Sequence, residues 1–159
     1  MKEKDVERQD AKTQGRKEKE QEPFASSRPC GLALDENAIS KHIVECAIEV
    51  HRTLGGPGLL ESVYEEALVW ELQQRELSVE RQVSLPIPYK GHTLASPLRI
   101  DLIVGGLVTI ECKAVTQYNA IFEAQTLTYL RLTGLKLGMV INFGERVVKN
   151  GIHRVVNGL

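Results

Sequence analysis

The stretch LRIDLIVGGLVTIECK, residues 98–113, decides the fold. It contains two runs in which apolar and polar residues alternate, and the pair Gly105-Gly106 separates them. Alternation with a period of two is typical of strands with one buried face, and a glycine pair between two such runs is typical of a tight turn. The stretch therefore predicts an antiparallel β-hairpin with one apolar and one polar face.

The length of the hairpin loop decides which side chains share a face. A two-residue loop pairs Val104 with Leu107 and mixes Asp101 into the apolar face. A three-residue loop, residues 104–106, pairs Ile103 with Leu107 and keeps the faces separate. Because a buried face selects register strongly, we predict the three-residue loop. The apolar face then comprises Leu98, Ile100, Leu102, Val108, Ile110 and Cys112, and the polar face comprises Arg99, Asp101, Thr109, Glu111 and Lys113.

The predicted polar face brings two carboxylates and an amine together. Asp101 and Glu111 become diagonal neighbours with Cα atoms roughly 7–8 Å apart, and Lys113 lies beside Glu111. Such a pair suits Mg²⁺ or Mn²⁺, since hard cations prefer oxygen ligands, and the backbone carbonyl of Cys112 is a further candidate ligand. We expect the Cys112 thiol to point into the core, and Lys113 to orient water or to stabilise charge on a phosphoryl group. A solvated sheet face without a bound ion is the alternative.

Outside the hairpin, hydrophobic periodicity predicts the element order α-α-β-β-β-α-β-β. The first helix carries apolar residues from Ile39 to Leu54 and is capped by Asp35 or Asn37. The second helix covers residues 59–76. Its expected core stripe comprises Leu60, Val63, Ala67 and Trp70. The remaining predicted elements are strands over 78–89, 94–104 and 107–115, a helix over 119–133, and strands over 137–142 and 152–156. This order predicts an α/β fold with one mixed sheet flanked by helices.

Composition predicts one folded domain with a charged extension. The chain has 159 residues and a formal net charge of −1, so a broad electrostatic wrap around nucleic acid is not supported. We expect residues 1–30 to form a disordered charged tail and linker, and residues 31–159 to form the domain. No apolar run suits a signal peptide or a membrane span, and three unpatterned cysteines favour a reducing cytoplasm.

Several motifs together resemble a known nuclease family. Asp101 followed by Glu111-Cys112-Lys113 resembles the PD-(D/E)xK nuclease superfamily, and Gly58-Leu-Leu-Glu61-Ser-Val-Tyr64 resembles the motif of its GxxExxY family. The surrounding segments that share the resemblance are Glu49-Val-His-Arg52, residues 86–91, Glu123-Ala-Gln125 and Ile141-Asn-Phe-Gly144. The resemblance covers roughly residues 37–156.

The resemblance implies a restriction-endonuclease-like core and a metal-dependent phosphodiester hydrolase that acts on nucleic acid. It implies that Asp101 and Glu111 bind Mg²⁺ or Mn²⁺, that Lys113 is catalytic, and that Glu61 and Gln125 complete the site. A catalytically silent binding or regulatory module with the same fold is the alternative, and a homodimer built on the last strand is a further one. We expect Glu65 to be a solvated helix residue and Tyr64 to be a packing residue.

Overall fold

The computed structural model describes residues 34–158, so the expected tail and its boundary with the domain lie outside the described residues. The helices are α1 (Glu36–Thr53), α2 (Glu61–Gln74) and α3 (Ile121–Thr133), and a short 3₁₀-helix covers Val148–Gly151. The strands are β1 (Val79–Leu85), β2 (Pro88–Tyr89), β3 (His92–Thr93), β4 (Leu98–Val104), β5 (Val108–Lys113), β6 (Leu137–Asn142) and β7 (Ile152–Val156). No helix in this described part is long and apolar enough to cross a membrane.

Five strands form one mixed sheet in the order β1-β4-β5-β6-β7. Strands β5 and β6 are parallel and are connected through α3, whereas the other neighbours are antiparallel. Strands β2 and β3 form a separate small hairpin. Strand β2 lies at the end of the strand predicted over 78–89, whereas β3 precedes the strand predicted over 94–104. The predicted α/β fold, a mixed sheet flanked by helices, is confirmed.

The register of the central hairpin differs from the predicted one by two residues. Val104 pairs with Val108, so the loop comprises residues 105–107 rather than 104–106. The expected pairing of Ile103 with Leu107 is therefore wrong. Gly105 and Gly106 have φ values of +60° and +66°, and both glycines must stay in the loop because this left-handed backbone is unfavourable for other residues.

A two-residue shift of register leaves the two faces of a hairpin unchanged, because side chains alternate with a period of two. Asp101 and Glu111 therefore keep the common neighbourhood that the sequence predicts. Leu102 pairs with Ile110, so the next position away from the loop places Asp101 opposite Glu111. The sequence had predicted a diagonal arrangement of these two residues.

The alternation of side chains along β4 is interrupted at Asp101. Leu102 lies in the main core, but Ile100 packs with Ile103 and Tyr129 in a second apolar cluster. Ile100 and Leu98 were expected to share a face with Leu102, and this expectation is wrong. The first half of β4 is thus rotated relative to the second half, and the change of face occurs at the acidic residue.

Helices α1 and α2 cover one face of the sheet, where the main core lies. Asp35 caps α1 by accepting a hydrogen bond of 2.7 Å from the amide of Ala38. The buried stripe of α2 is formed by Tyr64, Leu68 and Leu72, whereas Trp70 is 58 % exposed. The prediction that Trp70 belongs to the core is therefore wrong.

The helix is rotated because Tyr64 is fixed at both ends of its side chain. Its ring stacks on Phe143 at 4.7 Å between centroids, and its hydroxyl donates a hydrogen bond of 2.7 Å to the carbonyl of Gly56. A second apolar stripe one residue along, with Leu60 and Val63, is thereby turned outwards. Tyr64 is a packing residue, as predicted.

Helix α3 covers the opposite face of the sheet and crosses β6 at Gly138. A Cβ atom on Gly138 would lie 2.5 Å from Thr126 Cγ2 and 2.6 Å from Thr109 Oγ1. Residues 138 and 109 are partners in the parallel pairing of β5 with β6. The missing side chain therefore allows α3 to pack directly against the strand that carries Glu111.

We expect Gly138→Ala to lower the free energy of unfolding by roughly 1–3 kcal/mol, because the added methyl group overpacks this contact. Thr126→Ser removes the closer clashing atom and keeps the hydroxyl that donates to the carbonyl of Phe122. The free energy of unfolding of the double variant, measured by urea unfolding, should therefore fall by less than the sum of the decreases in the two single variants. Strictly additive losses would show that α3 does not make this contact.

Candidate active site

Side chains from β4 and β5 converge where these two strands separate. One carboxylate oxygen of Asp101, Oδ2, accepts a hydrogen bond of 2.9 Å from the backbone amide of Cys112. On the other strand, Lys113 Nζ lies 2.7 Å from Glu111 Oε1. The structure thus places the three residues of the predicted metal and catalytic group next to one another.

Glu111 lies in a buried environment rather than on a solvated sheet face. The residue is only 4 % exposed, because α3 covers this side of β5. Burial, and then the neighbouring charge of Asp101, raise the pKa of Glu111 to about 7. Its second oxygen, Oε2, is buried and has no hydrogen-bond partner, which is an unfavourable state for a carboxylate oxygen.

Lys113 is the positive charge of the group. Burial by itself lowers the pKa of Lys113, but the hydrogen bond and charge of Glu111, with the charges of Glu61 and Asp101, outweigh it and raise this pKa above its usual value. The ammonium group also lies 5.1 Å from the centre of the Phe122 ring. Lys113 is therefore a permanent cation here and not a neutral base.

Glu61 approaches the group from α2, of which it is the first residue. Partial burial raises the pKa of Glu61; the charge of Lys113 opposes this shift, and the charge of Asp101 adds to it. Glu61 therefore lies within electrostatic reach of Lys113 and Asp101. The first turn of a helix also favours a negative side chain electrostatically.

Gln125 is connected to these residues indirectly, through Tyr129, which the sequence analysis did not identify. Its side-chain amide donates a hydrogen bond of 2.6 Å to the hydroxyl of Tyr129. Tyr129 is 2 % exposed, and burial together with the charge of Glu111 raises its pKa to about 12. The signal available in the sequence was the spacing of four residues, which places both side chains on one face of α3.

Cys112 contributes through its backbone. Its side chain is fully buried in the main core, as predicted, and burial raises the pKa of the thiol. Its amide orients Asp101, a contact that the sequence did not predict. The proposed use of its carbonyl as a ligand stays a prediction.

Glu65 was expected to be solvated, and this is wrong. It is 6 % exposed and accepts hydrogen bonds from Arg81 and Gln82, the closest at 3.1 Å and 2.9 Å respectively. The amide of Gln82 lies 3.5 Å from Asp101 Oδ1 on its other side. Nothing in the local sequence pattern indicates this bridge, because it depends on how α2 lies against β1.

Asn142 fixes the chain just after Lys113. The fully buried Asn142 side chain accepts a hydrogen bond from the amide of Val115 and donates one to the carbonyl of the same residue, both at 2.9 Å. It also accepts one from the amide of Gly144. The direction in which β5 ends, and hence the position of Lys113, is set by this clamp.

The residues of this group fit a divalent cation that keeps several water ligands. Within residues 34–158 no three His, Cys, Asp or Glu side chains form a ready metal cluster. However, Asp101 and Glu111 offer only oxygen atoms, one of them buried without a partner. Burial raises the pKa of both carboxyl groups, and the charge of Asp101 raises that of Glu111 further. Mg²⁺ needs few protein oxygens of this kind, so the donor set matches its chemistry.

Comparison with known proteins gives one match. A family model described as the PD-(D/E)XK nuclease superfamily matches residues 37–155, which run from α1 into β7. No curated protein and no solved structure matches the chain.

We expect the free energy of unfolding to fall as pH rises from about 4.5 to about 7 in EDTA. The pKa of Glu111 is raised in the folded state from 4.5 to about 7, so the folded protein binds more protons than the unfolded chain in this window. The stabilisation is complete below pH 4.5 and is lost as pH passes 7. The loss is up to about 3 kcal/mol, measured by urea unfolding at each pH.

In Glu111→Gln most of this decrease of the free energy of unfolding with pH should disappear, since the amide does not titrate. Glu80→Gln, at an exposed position of β1, is the matched control and should keep the slope. A wild-type profile that is flat or rising over this window would contradict the proposed burial of Glu111.

Proposed function

The chain belongs to the PD-(D/E)XK nuclease superfamily, and from this premise we propose that it is a metal-dependent phosphodiester hydrolase acting on nucleic acid. The proposal is supported above all by one observation: Asp101 and Glu111 lie together with the ammonium of Lys113, and one buried oxygen of Glu111 lacks a partner. Two oxygen ligands and a fixed positive charge are what hydrolysis of a phosphodiester requires at its reacting centre.

The proposed roles follow from the charge and position of each side chain. Asp101 and Glu111 would hold Mg²⁺ or Mn²⁺, assisted by Glu61 and by the carbonyl of Cys112. The cation, when bound, supplies Lewis-acid stabilisation of charge on the phosphoryl group. Because Lys113 stays protonated, its role is to stabilise the negative charge that develops when water attacks phosphorus.

Gln125 acts by orientation rather than by contact with the reacting atoms. Its hydrogen bond fixes the Tyr129 hydroxyl, which lies beside Glu111. The pair would thus shape the α3 side of the site without a hydrogen bond to Glu111, while the amide of Cys112 holds Asp101 from β5. Asp101 is therefore oriented before any cation binds.

We further propose that the chain belongs to the GxxExxY family within the superfamily. Each named residue of the segment 58–64 has a separate use here. Gly58 has a φ of +121°, which glycine adopts readily, Glu61 begins α2 beside the site, and Tyr64 ties the turn before α2 to the core. This division of roles supports the assignment of the motif.

The second candidate is a catalytically silent binding or regulatory module with the same fold. It is favoured by the ion pair at 2.7 Å, in which Lys113 already occupies Glu111 Oε1. In this arrangement Glu111 Oε1 is paired with Lys113, and Oε2 is the oxygen without a partner. Cleavage of both strands of a duplex by a single centre would require two copies, so the proposal includes a homodimer for that substrate. A cytoplasmic location is also proposed, and the buried thiols of Cys46 and Cys112 are compatible with it.

We expect Mg²⁺ or Mn²⁺ to raise the melting temperature by about 3–6 °C at ten times the dissociation constant, because the ion binds only the folded state. Asp101→Asn and Glu111→Gln should each abolish most of the shift, measured by differential scanning fluorimetry. Glu80→Gln is the control and should keep it. No shift in the wild type at millimolar ion would contradict the metal site.

We expect hydrolysis of DNA or RNA, single- or double-stranded, in the presence of Mn²⁺ or Mg²⁺. Lys113→Ala should reduce the rate about 10²–10³-fold because it removes charge stabilisation, and Glu111→Ala should reduce it at least as much. Lys41→Ala, at an exposed position of α1, is the control. Equal residual activity in all four proteins would remove the catalytic proposal, and cation binding without hydrolysis would favour the silent module.

A further inference from the structure

Gln82 has a backbone conformation that is unusual for its place in the middle of a strand. Its φ is +50°, in the left-handed region, although it is not glycine. Arg81 pairs with Leu102 and Val83 pairs with Ile100, so no residue is inserted on either side. The position of β4 that falls opposite Gln82 is Asp101. The two residues therefore face each other where the regular pairing of β1 with β4 is interrupted.

The left-handed conformation changes where the Gln82 side chain points. Neighbouring residues of an ordinary strand direct their side chains to opposite faces. Here Arg81 and Gln82 both donate hydrogen bonds to the carboxylate of Glu65, at 3.1 Å and 2.9 Å. The unusual backbone is thus what allows two successive side chains to reach the same buried carboxylate.

The amide group of Gln82 also lies between two carboxylates. Its Nε2 atom is 2.9 Å from Glu65 Oε2 and 3.5 Å from Asp101 Oδ1. An amide nitrogen carries two hydrogen atoms, so it can donate to both at once. The other oxygen of Asp101, Oδ2, accepts from the Cys112 amide at 2.9 Å. Asp101 is therefore held by one neutral donor on each of its oxygens.

We propose that Gln82 is a positioning residue that holds the Asp101 carboxylate in the orientation required for a divalent cation. This inference rests on the proposed function. A neutral amide suits the task, because an ammonium or guanidinium group in the same place would neutralise Asp101 and compete with the cation. Its backbone strain persists because Glu65, anchored on α2, and Asp101 together fix the side chain.

The test compares Gln82→Gly with the wild type by Mn²⁺ titration calorimetry and by urea unfolding in EDTA. Glycine removes the amide and also relieves the left-handed strain. We therefore expect a roughly 10–100-fold loss of Mn²⁺ affinity, as is typical when a residue that orients a metal ligand is lost. The metal-free protein should not be correspondingly destabilised, which separates positioning from a purely structural role.

Two further variants complete the design. Glu76→Gly is the matched control, since Glu76 is exposed and has the same left-handed backbone with φ of +59°; it should leave the Mn²⁺ affinity unchanged. Gln82→Asn retains an amide and tolerates this backbone, so it should recover part of the affinity. In the metal-free protein, the amide hydrogen of Cys112 should exchange faster in Gln82→Gly, because Asp101 is less firmly held.

The outcomes distinguish this inference from the function on which it rests. If the wild type binds Mn²⁺ and Gln82→Gly binds it equally well, the positioning role is wrong and the proposed function stands. If the wild type binds no Mn²⁺, the proposed function and the inference both fail. If affinity and metal-free stability fall together in Gln82→Gly, Gln82 is a structural residue and the proposal is overturned.

Discussion

Negative charge is buried where β4 and β5 separate, and this burial governs the energetics of the site. The carboxylates of Glu61, Asp101 and Glu111 surround the single ammonium of Lys113, so the ionised group carries a formal charge of −2. Partial or deep burial raises the pKa of all three acids, and each is raised further by a neighbouring carboxylate. Such an arrangement costs folding free energy in the absence of a counter-ion, and a bound cation offsets that cost.

The scaffold keeps these charges in place by packing rather than by further ion pairs. Gly138 lets α3 lie close to β5 and cover Glu111. Asn142 fixes the chain that leaves Lys113 by two hydrogen bonds to the backbone of Val115. None of these packing and amide contacts changes its charge with pH, so they hold the strands and α3 in place independently of the ionisation of the carboxylates.

The sequence predicts those features that depend on periodicity. The element order and the ends of β6 and β7 follow from alternation and from turn residues. The common neighbourhood of Asp101 and Glu111 survives a register error of two residues because the period is two, although the faces of Leu98 and Ile100 were predicted wrongly. The rotation of α2 was not predictable in this way. Its two apolar stripes are offset by one residue, and the stacking of Tyr64 on Phe143, a contact made across the fold, selects between them.

The positions of Glu65 and Gln82 could not be predicted from the sequence at all, because they contradict local conformational and burial preferences. A left-handed backbone costs a non-glycine residue about 1–3 kcal/mol, so no propensity predicts it within a strand. The same departure redirects a side chain by half a turn and interrupts the pairing of β1 with β4 opposite Asp101. Propensities of the local sequence therefore do not predict the structure where β1 and α2 contact the residues around Asp101. The contacts of the Gln82 amide with the carboxylates of Glu65 and Asp101 offset the cost of this conformation.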